Sequence, residues 1–456
     1  RQDSWDGCSG YHYSDKVIYG FSHTHLSGTG CLDYGDILFI PTIKDWNEND
    51  FSMTFEHKNE SATAGIYKVK NLNKQGIDAY LTTTERVGFH KYVFPVSAKS
   101  TSIIIDLLWR DELLDYDYKI LNDSTVVGYR CSKSWNENQK IFFATIFSSK
   151  ISKHKFDKQT KRLFLEFEPA EENNKKTIEA RTAISSVNEE GALKNLASEE
   201  SIRFDKALTK NTALWEKELG KIEISGASKK QKEIFYTSLY HCMIAPNLYS
   251  DVDNRYRGMD DKIQNAKDYN RYTVFSLWDT YRTLHPLLSI IDQKRSMDFA
   301  KTFIDMQLQN GELPMWELAS AETHCMIGMH GISVLAELYQ KGIYAYPKLT
   351  LESMINNANP ELREINKRNY TNKKHNLLGL DYFTKNGYIS SEFEHEGVSC
   401  RMLFSAVVYR QCTHLPDAEY DELSDLVPVW WEFHTTIDGV ELLNDFSFNE
   451  LRQYFK

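Results

Sequence analysis

Three side chains able to grip a polyhydroxylated ligand fall within one turn of each other in Tyr272 to Pro286, YTVFSLWDTYRTLHP: Trp278, Asp279 and Arg282. A carboxylate can hold two hydroxyls of a sugar, and the neighbouring indole offers a flat apolar surface to the C–H face of its ring. The β-branched and aromatic residues before this trio suit an extended approach, and those after it suit a helix. Ser276 or Asp279 is therefore the candidate N-cap, where free backbone N–H groups stabilise an acid. The same spacing also describes a capping Asp beside a half-buried Trp. The stretch alone leaves both readings open.

The elements that must position this stretch differ before and after it. Arg1 to Gly35 is rich in Gly, Ser, His and aromatics, as in WDGCSGYHYSD and YGFSHTHLSGTG, and reads as turns that bring backbone close to something. His23 and His25, two apart, share a face in an extended segment and could bind a metal or a ligand, or simply pack as a polar loop. Asp36 to Pro169 reads as sheet. FSMTFEHKNE, AGIYKVKNL, GIDAYLTTTERVGFHKYVFP, STSIIIDLLWR, STVVGYRCSKSW, QKIFFATIFSS and KRLFLEFEP alternate or are β-branched, and Thr177 to Ser186 adds another strand. That many short strands predict a β-sandwich. From Glu189 the period becomes helical, and helices are expected over QKEIFYTSLYHCMIA, after Trp278, over RSMDFAKTFIDMQLQ and over THCMIGMHGISVLAELYQKG. The predicted division is a β-sandwich over 1–186, a helical linker over 187–227 and a helical domain over 228–456.

Composition narrows the function classes. A net charge of −10 argues against a nucleic-acid partner, which calls for a basic stripe. No apolar run approaches the length of a membrane span. Twenty-six Tyr and nine Trp suit carbohydrate surfaces as well as cores, because each has a stacking face and a hydrogen-bonding tip. Seven Cys, in neither a CxxC nor a zinc pattern, read mostly as small buried hydrophobes. Cys8 and Cys31 could bridge two loops, though nothing forces it. Arg1-Gln2-Asp3 is no signal peptide, so the expectation is either that one was removed or that the chain starts inside a longer protein, and the dense opening motif favours the second.

Taken together, WDGCSGYHYSD, GFSHTHLSGTG, SLWDTYRTLHP and GELPMWELASAETHCMIGMHG (311–331), in this order and spacing, resemble glycoside hydrolase family 92, the calcium-dependent exo-acting α-mannosidases. The resemblance runs from Arg1 to about Ser399. It implies an N-terminal β-sandwich joined through helices to an (α/α)6 barrel, with the site between them. It also implies release of terminal α-linked mannose from mannose-rich N-glycans, by single displacement with inversion. A Glu would serve as acid and an Asp as base, roughly 6.5–9.5 Å apart so that a water fits between them. Calcium, which favours oxygen ligands, would hold two vicinal hydroxyls of the sugar.

On this resemblance the substrate-binding candidates are Asp279, for hydroxyls in the −1 site, with Trp278 and Arg282, Trp5 for the next sugar, and Glu322. Glu322 could equally pair internally with Arg282, and His23 and His25 would shape the site rather than catalyse. Export to a periplasm or cell surface is implied as well.

The resemblance stops at both ends. Neither the family's Glu-Gly-Asn stretch, which holds its acid, nor its Asp-x-Asp stretch, which holds its base, is found in this sequence. Glu394 and Glu396 are acids in a suitable loop, but their polar neighbours do not supply the burial that a general acid needs. No catalytic residue and no metal ligand is therefore assigned. The expectation is a partial (α/α)6 barrel, truncated, with a divergent tail after 399. Such a chain is either an α-mannosidase by kinship or an inactive, glycan-binding remnant. A truncated barrel would expose Leu335, Leu338, Val407, Val408, Trp430 and Trp431, inviting oligomerisation or a partner over the open side.

Overall fold

The structure, a computed structural model, describes residues 10–26, 30–172, 174–326 and 328–358, and the backbone of His434–Ile437 and Val440–Leu443. A β-rich N-terminal domain precedes a helical region, as the strand and helix periods predict.

The larger sheet has nine antiparallel strands. Its main path runs Glu60–Thr63, Ile66–Leu72, Ile77–Thr83, Val87–Pro95, Lys175–Ser185, Gln139–Phe147, Thr125–Lys133 and Glu112–Asn122. A four-stranded sheet, in the order Ile151–Asp157, Arg162–Phe167, Thr101–Asp106 and Leu38–Thr42, faces it. Ile103, Ile105, Leu163 and Leu165 of the smaller sheet share one core with Val69, Tyr92, Phe94, Phe143 and Ile178 of the larger. Thr101–Asp106 is buried along its whole length, which is why three Ile stand in a row there rather than alternating. Among the described residues of the sandwich, three strands of five residues or more lie outside the runs that the sequence predicts: Leu38–Thr42, Glu112–Asn122 and Ile151–Asp157. The last two are sheet edges, where charged residues protect unpaired backbone and blur the apolar alternation.

The outer face of the large sheet is covered by helices α1 (Glu189–Ala197) and α2 (Phe204–Leu219). Val87, Phe89, Val127, Ala144 and Ala183 meet Ala192, Leu196, Phe204 and Ala207 there. The segment expected as a linker is thus a layer of the domain, and each large apolar side chain buried in it contributes roughly 1.5–3 kcal/mol. Asn188 caps α1 by accepting from the Gly191 N–H. Gly191 has to be glycine, because a Cβ there would lie 2.3 Å from Asp251 Oδ2.

The helical region comprises α3 (Lys229–His241), α4 (Leu277–Thr280), α5 (Leu284–Ile291), α6 (Gln293–Asn310), α7 (His330–Gln340) and α8 (Pro347–Ala358). Asp292 caps α6 at one end and Gly311, at φ 85°, closes it at the other. Phe299, Phe303 and Ile304 of α6 pack with Ile332, Leu335 and Leu338 of α7, Leu288 of α5 and Met354 of α8. Leu335 and Leu338 are therefore core residues, 1% and 2% exposed, and the patch expected from them does not exist. Their neighbours α5, α6 and α8 suffice to cover them. Val407, Val408, Trp430 and Trp431 lie outside the described residues. The helix expected from Thr323 begins only at His330, because His324 and Met326 adopt left-handed backbone, at φ 51° and 66°.

Candidate functional site

A three-stranded antiparallel sheet carries the site: Phe275–Ser276 pairs with Trp316–Leu318, which pairs with Ala321–Glu322. Phe275 meets Phe299 and Phe303 of α6 edge to face, fixing the sheet to the helical core. On its other side the sandwich reaches in. Asn136 Nδ2 donates to the carbonyls of Leu318 and Ala319 at 3.1 and 3.2 Å. Trp135 stands edge-on to Trp316, ring centroids 5.6 Å apart. Leu26, Cys31 and Tyr34 join Val274, Trp316 and Leu318 in one apolar cluster across this junction. The sheet therefore lies where the two parts of the chain meet.

α4 follows directly from Ser276 and presents Trp278 half-buried and Asp279 exposed. Ser276 occupies the N-cap position, but its hydroxyl donates to the Asp279 carboxylate rather than accepting from backbone. Asp279 stands three residues inside, so it is not the helix cap that its type suggested. The helix stops at Thr280 and restarts at Leu284, because Pro286 has no N–H to extend it and its ring would clash with the carbonyl of Arg282. That break leaves Arg282 exposed on the intervening turn, its guanidinium over the Tyr281 ring at 5.2 Å and its Nε donating to Tyr281 Oη at 2.6 Å. Trp278, Asp279 and Arg282 are thus brought together on one short segment.

Glu322 is 2% exposed, and its carboxylate closes backbone turns. It accepts from the N–H groups of Met315 at 2.8 Å, Trp316 at 2.9 Å and His324 at 2.9 Å. Beside it Glu312 and His324 form a buried pair at 2.7 Å. Both lie inside the Gly311–Gly331 motif, where residue type and spacing alone assign them no role. The same holds for His330, whose imidazole stacks on Tyr281 at 3.7 Å and lies 5.7 Å from Trp278. Burial, aided by Arg282, lowers His330 to about 4. Trp5, Glu394 and Glu396 lie outside the described residues.

The two early histidines part company. His23 Nδ1 contacts the Ile37 carbonyl at 2.6 Å, so that nitrogen must carry a hydrogen. Its Nε2 then accepts from His90 Nε2 at 3.0 Å, and His90 Nδ1 in turn accepts from the Tyr92 hydroxyl at 2.7 Å. Burial holds His23 neutral, its pKa lowered to about 4. His25 is exposed, with its ring against Gly10, where a Cβ would come within 2.1 Å of Nε2. Cys31 is buried in the junction cluster, and Cys8 lies outside the described residues. Among the described residues no three His, Cys, Asp or Glu side chains converge as metal ligands do. Calcium takes six to eight oxygens, so the described residues do not by themselves fit it.

Residues 1–188 match the model of the glycosyl hydrolase family 92 N-terminal domain, and 191–405 that of the family 92 catalytic domain. The chain belongs to glycosyl hydrolase family 92. A family 92 α-mannosidase of Bacteroides thetaiotaomicron is 30% identical and superposes with a TM-score of 0.82, over 93% of this chain and 59% of its own. The same enzyme in complex with mannoimidazole also superposes at 0.82, over 57% of its length. A family 92 inverting mannosidase of that bacterium, 22% identical, shares the fold at 0.77. A protein of Arthroderma benhamiae described as an uncharacterized secreted glycosidase is 24% identical over 61% of this chain and 41% of its own length. The chain therefore spans under three fifths of the length of these relatives. Among the described residues, no helix is long and apolar enough to cross a membrane.

Proposed function

We propose that this chain recognises terminal α-linked mannose at the turn carrying Trp278, Asp279 and Arg282, and serves hydrolysis of the glycosidic bond with inversion. The observation that carries the reading is that turn itself: an exposed carboxylate beside a half-buried indole, at the junction of a sandwich and a helical region of family 92 type. Asp279 would accept from two sugar hydroxyls, Trp278 would face the ring, and Arg282 would donate to a further oxygen. Trp5 would meet the next sugar, and Glu322 would hold the wall of the site through the backbone it braces. Mannose-rich N-glycans, in an exported or periplasmic setting, are the substrates this reading calls for. Calcium stays part of it only as the family's cofactor, with no step assigned to it. A partner or second copy over the open side of the helical barrel belongs to the same reading.

The absence of Glu-Gly-Asn and Asp-x-Asp stretches from the sequence favours a second reading, a glycan-binding chain without turnover. Release of sugar from an aryl α-mannoside and from α-1,2-mannobiose, each with calcium and with chelator, separates the two. Turnover by this chain upholds the enzyme. Mannose binding without turnover upholds the binder, and no binding at all sinks both.

A further inference from the structure

We propose that Glu317 is a positioning residue for the sugar site: a buried carboxylate that ties together two strained turns, one leading to Asp279 and the other to Glu322. This rests on the reading of Asp279 as the sugar-gripping group.

Glu317 is 0% exposed, in the middle strand of the three-stranded sheet, paired with Phe275 on one side and Glu322 on the other. Its hydrogen bonds go to two places. Toward the first, it accepts from Thr273 Oγ1 at 2.9 and 3.1 Å and from the Val274 N–H at 3.0 Å. Toward the second, it accepts from the Ser320 N–H at 2.6 Å. Thr273 Oγ1 closes the loop by accepting from the Ala319 N–H at 2.8 Å.

Each place is a backbone distortion. Val274 sits at φ 68°, where a β-branched residue is a genuine outlier. Ala319 and Ser320 sit at 49° and 61° in succession. Such conformations are costly and persist only where surroundings over-determine them. Here one carboxylate is common to both places, beside the bonds of Ala319 to Asn136 and Thr273 and of Ser320 Oγ to the Arg257 carbonyl. Val274 directs the chain into Phe275–Ser276 and so to Asp279, and Ser320 directs it into Ala321–Glu322. Shifting Glu317 therefore shifts both at once.

The charge environment suits the same role. Burial raises Glu317 to about 7, against the pull of Arg271 and with Glu322 adding repulsion. Tyr34 and Tyr249 face it from the sandwich side and from the segment before Arg271. Its donors all serve the ionised form, so protonation removes one acceptor from the brace.

The test compares wild type, Glu317→Gln, Thr273→Val and Asp279→Ala. Hydrogen exchange at either the Val274 or the Ser320 amide should quicken at least tenfold in Glu317→Gln, since the carboxamide keeps one accepting oxygen where the carboxylate has two, with the sandwich core unchanged. Mannose affinity should weaken about tenfold, as a KM rather than a kcat effect if turnover exists. Its pH dependence between 4.5 and 7 should flatten. If Glu317→Gln does not fold, Thr273→Val, which keeps the charge, should still quicken exchange at Ala319 and weaken mannose about threefold. Unchanged exchange at these amides overturns the proposal. So does unchanged mannose affinity in Glu317→Gln when Asp279→Ala abolishes it, an outcome that leaves the Asp279 reading standing. If wild type binds no mannose, the Asp279 reading falls, and with it the claim that Glu317 positions a sugar site. The exchange data then report only whether the brace exists.

Discussion

Tyr281 lies flat on His330, ring centroids 3.7 Å apart and planes 11° from parallel. The first residue of α7 thereby supports the turn that displays Trp278, Asp279 and Arg282. Stacked aromatic pairs contribute about 0.5–1.5 kcal/mol beyond the area they bury. His330→Leu should lower stability by about that amount and weaken mannose binding in parallel. Paired thermal melts and calorimetric titrations would check it, and a loss of stability with intact affinity would count against a supporting role.

Acid should destabilise the protein through its buried histidines. His23, His285 and His330 are each lowered to about 4 by burial, from an ordinary value of 6.5. The unfolded chain therefore binds more protons than the folded one between these values, and stability rises with pH across that window. It is complete above about 6.5 and lost as the pH falls towards 4. Glu317, raised to about 7, has the opposite sign: the folded state binds the extra proton, so its contribution falls as the pH rises from 4.5 to 7. Melting temperatures over pH 4–7 should rise in wild type and rise more steeply in Glu317→Gln.

Asp279 should matter to ligand and not to fold. It is exposed, and its hydrogen-bond partner Ser276 lies on its own turn, so Asp279→Ala should change stability by no more than about 0.5 kcal/mol. Losing hydrogen bonds to a charged group costs about 1.5–3 kcal/mol, roughly ten- to a hundredfold in mannose affinity. Titration of mannose into wild type and variant measures it.

Calcium should leave the melting temperature unchanged. A ligand bound only to the folded form at a hundred times its Kd adds about 2.7 kcal/mol. Melts with calcium against chelator would reveal such a gain, and a clear rise would mean that residues beyond the described ones complete a metal site.

Removing Arg130 should be far more damaging than removing Asp279. Its guanidinium, 1% exposed, pairs with Asp36 and with Asp111 at 2.5 Å and donates to the Leu107 carbonyl at 3.1 Å. Burial raises Asp111 to about 6, against the pull of Arg130 and with Asp36 adding repulsion. Arg130→Met strands two buried acids and should cost about 3–5 kcal/mol, read from urea unfolding.

What the sequence determined by itself is what periodicity and chemistry can encode locally. Ile103 to Ile105 announce a buried strand and Phe299 and Phe303 a helix face, while Trp278-Asp279 reads equally as a sugar-gripping pair or as a capping acid beside a half-buried indole. The long motifs also named the family. Tertiary structure decided the rest. Edge strands such as Ile151–Asp157 escaped because charge at an edge is a solvation device that hides alternation. Leu335 and Leu338 read as exposed if the barrel is truncated, whereas helices α5, α6 and α8 pack with them. Glu322 looked like a ligand because nothing nearby in the chain says that a carboxylate will be consumed by three backbone N–H groups. Glu317 carries no local signal at all. Its donors, Thr273, Val274 and Ser320, converge only when two segments more than forty residues apart pair as strands, and burial there raises its pKa against the pull of Arg271.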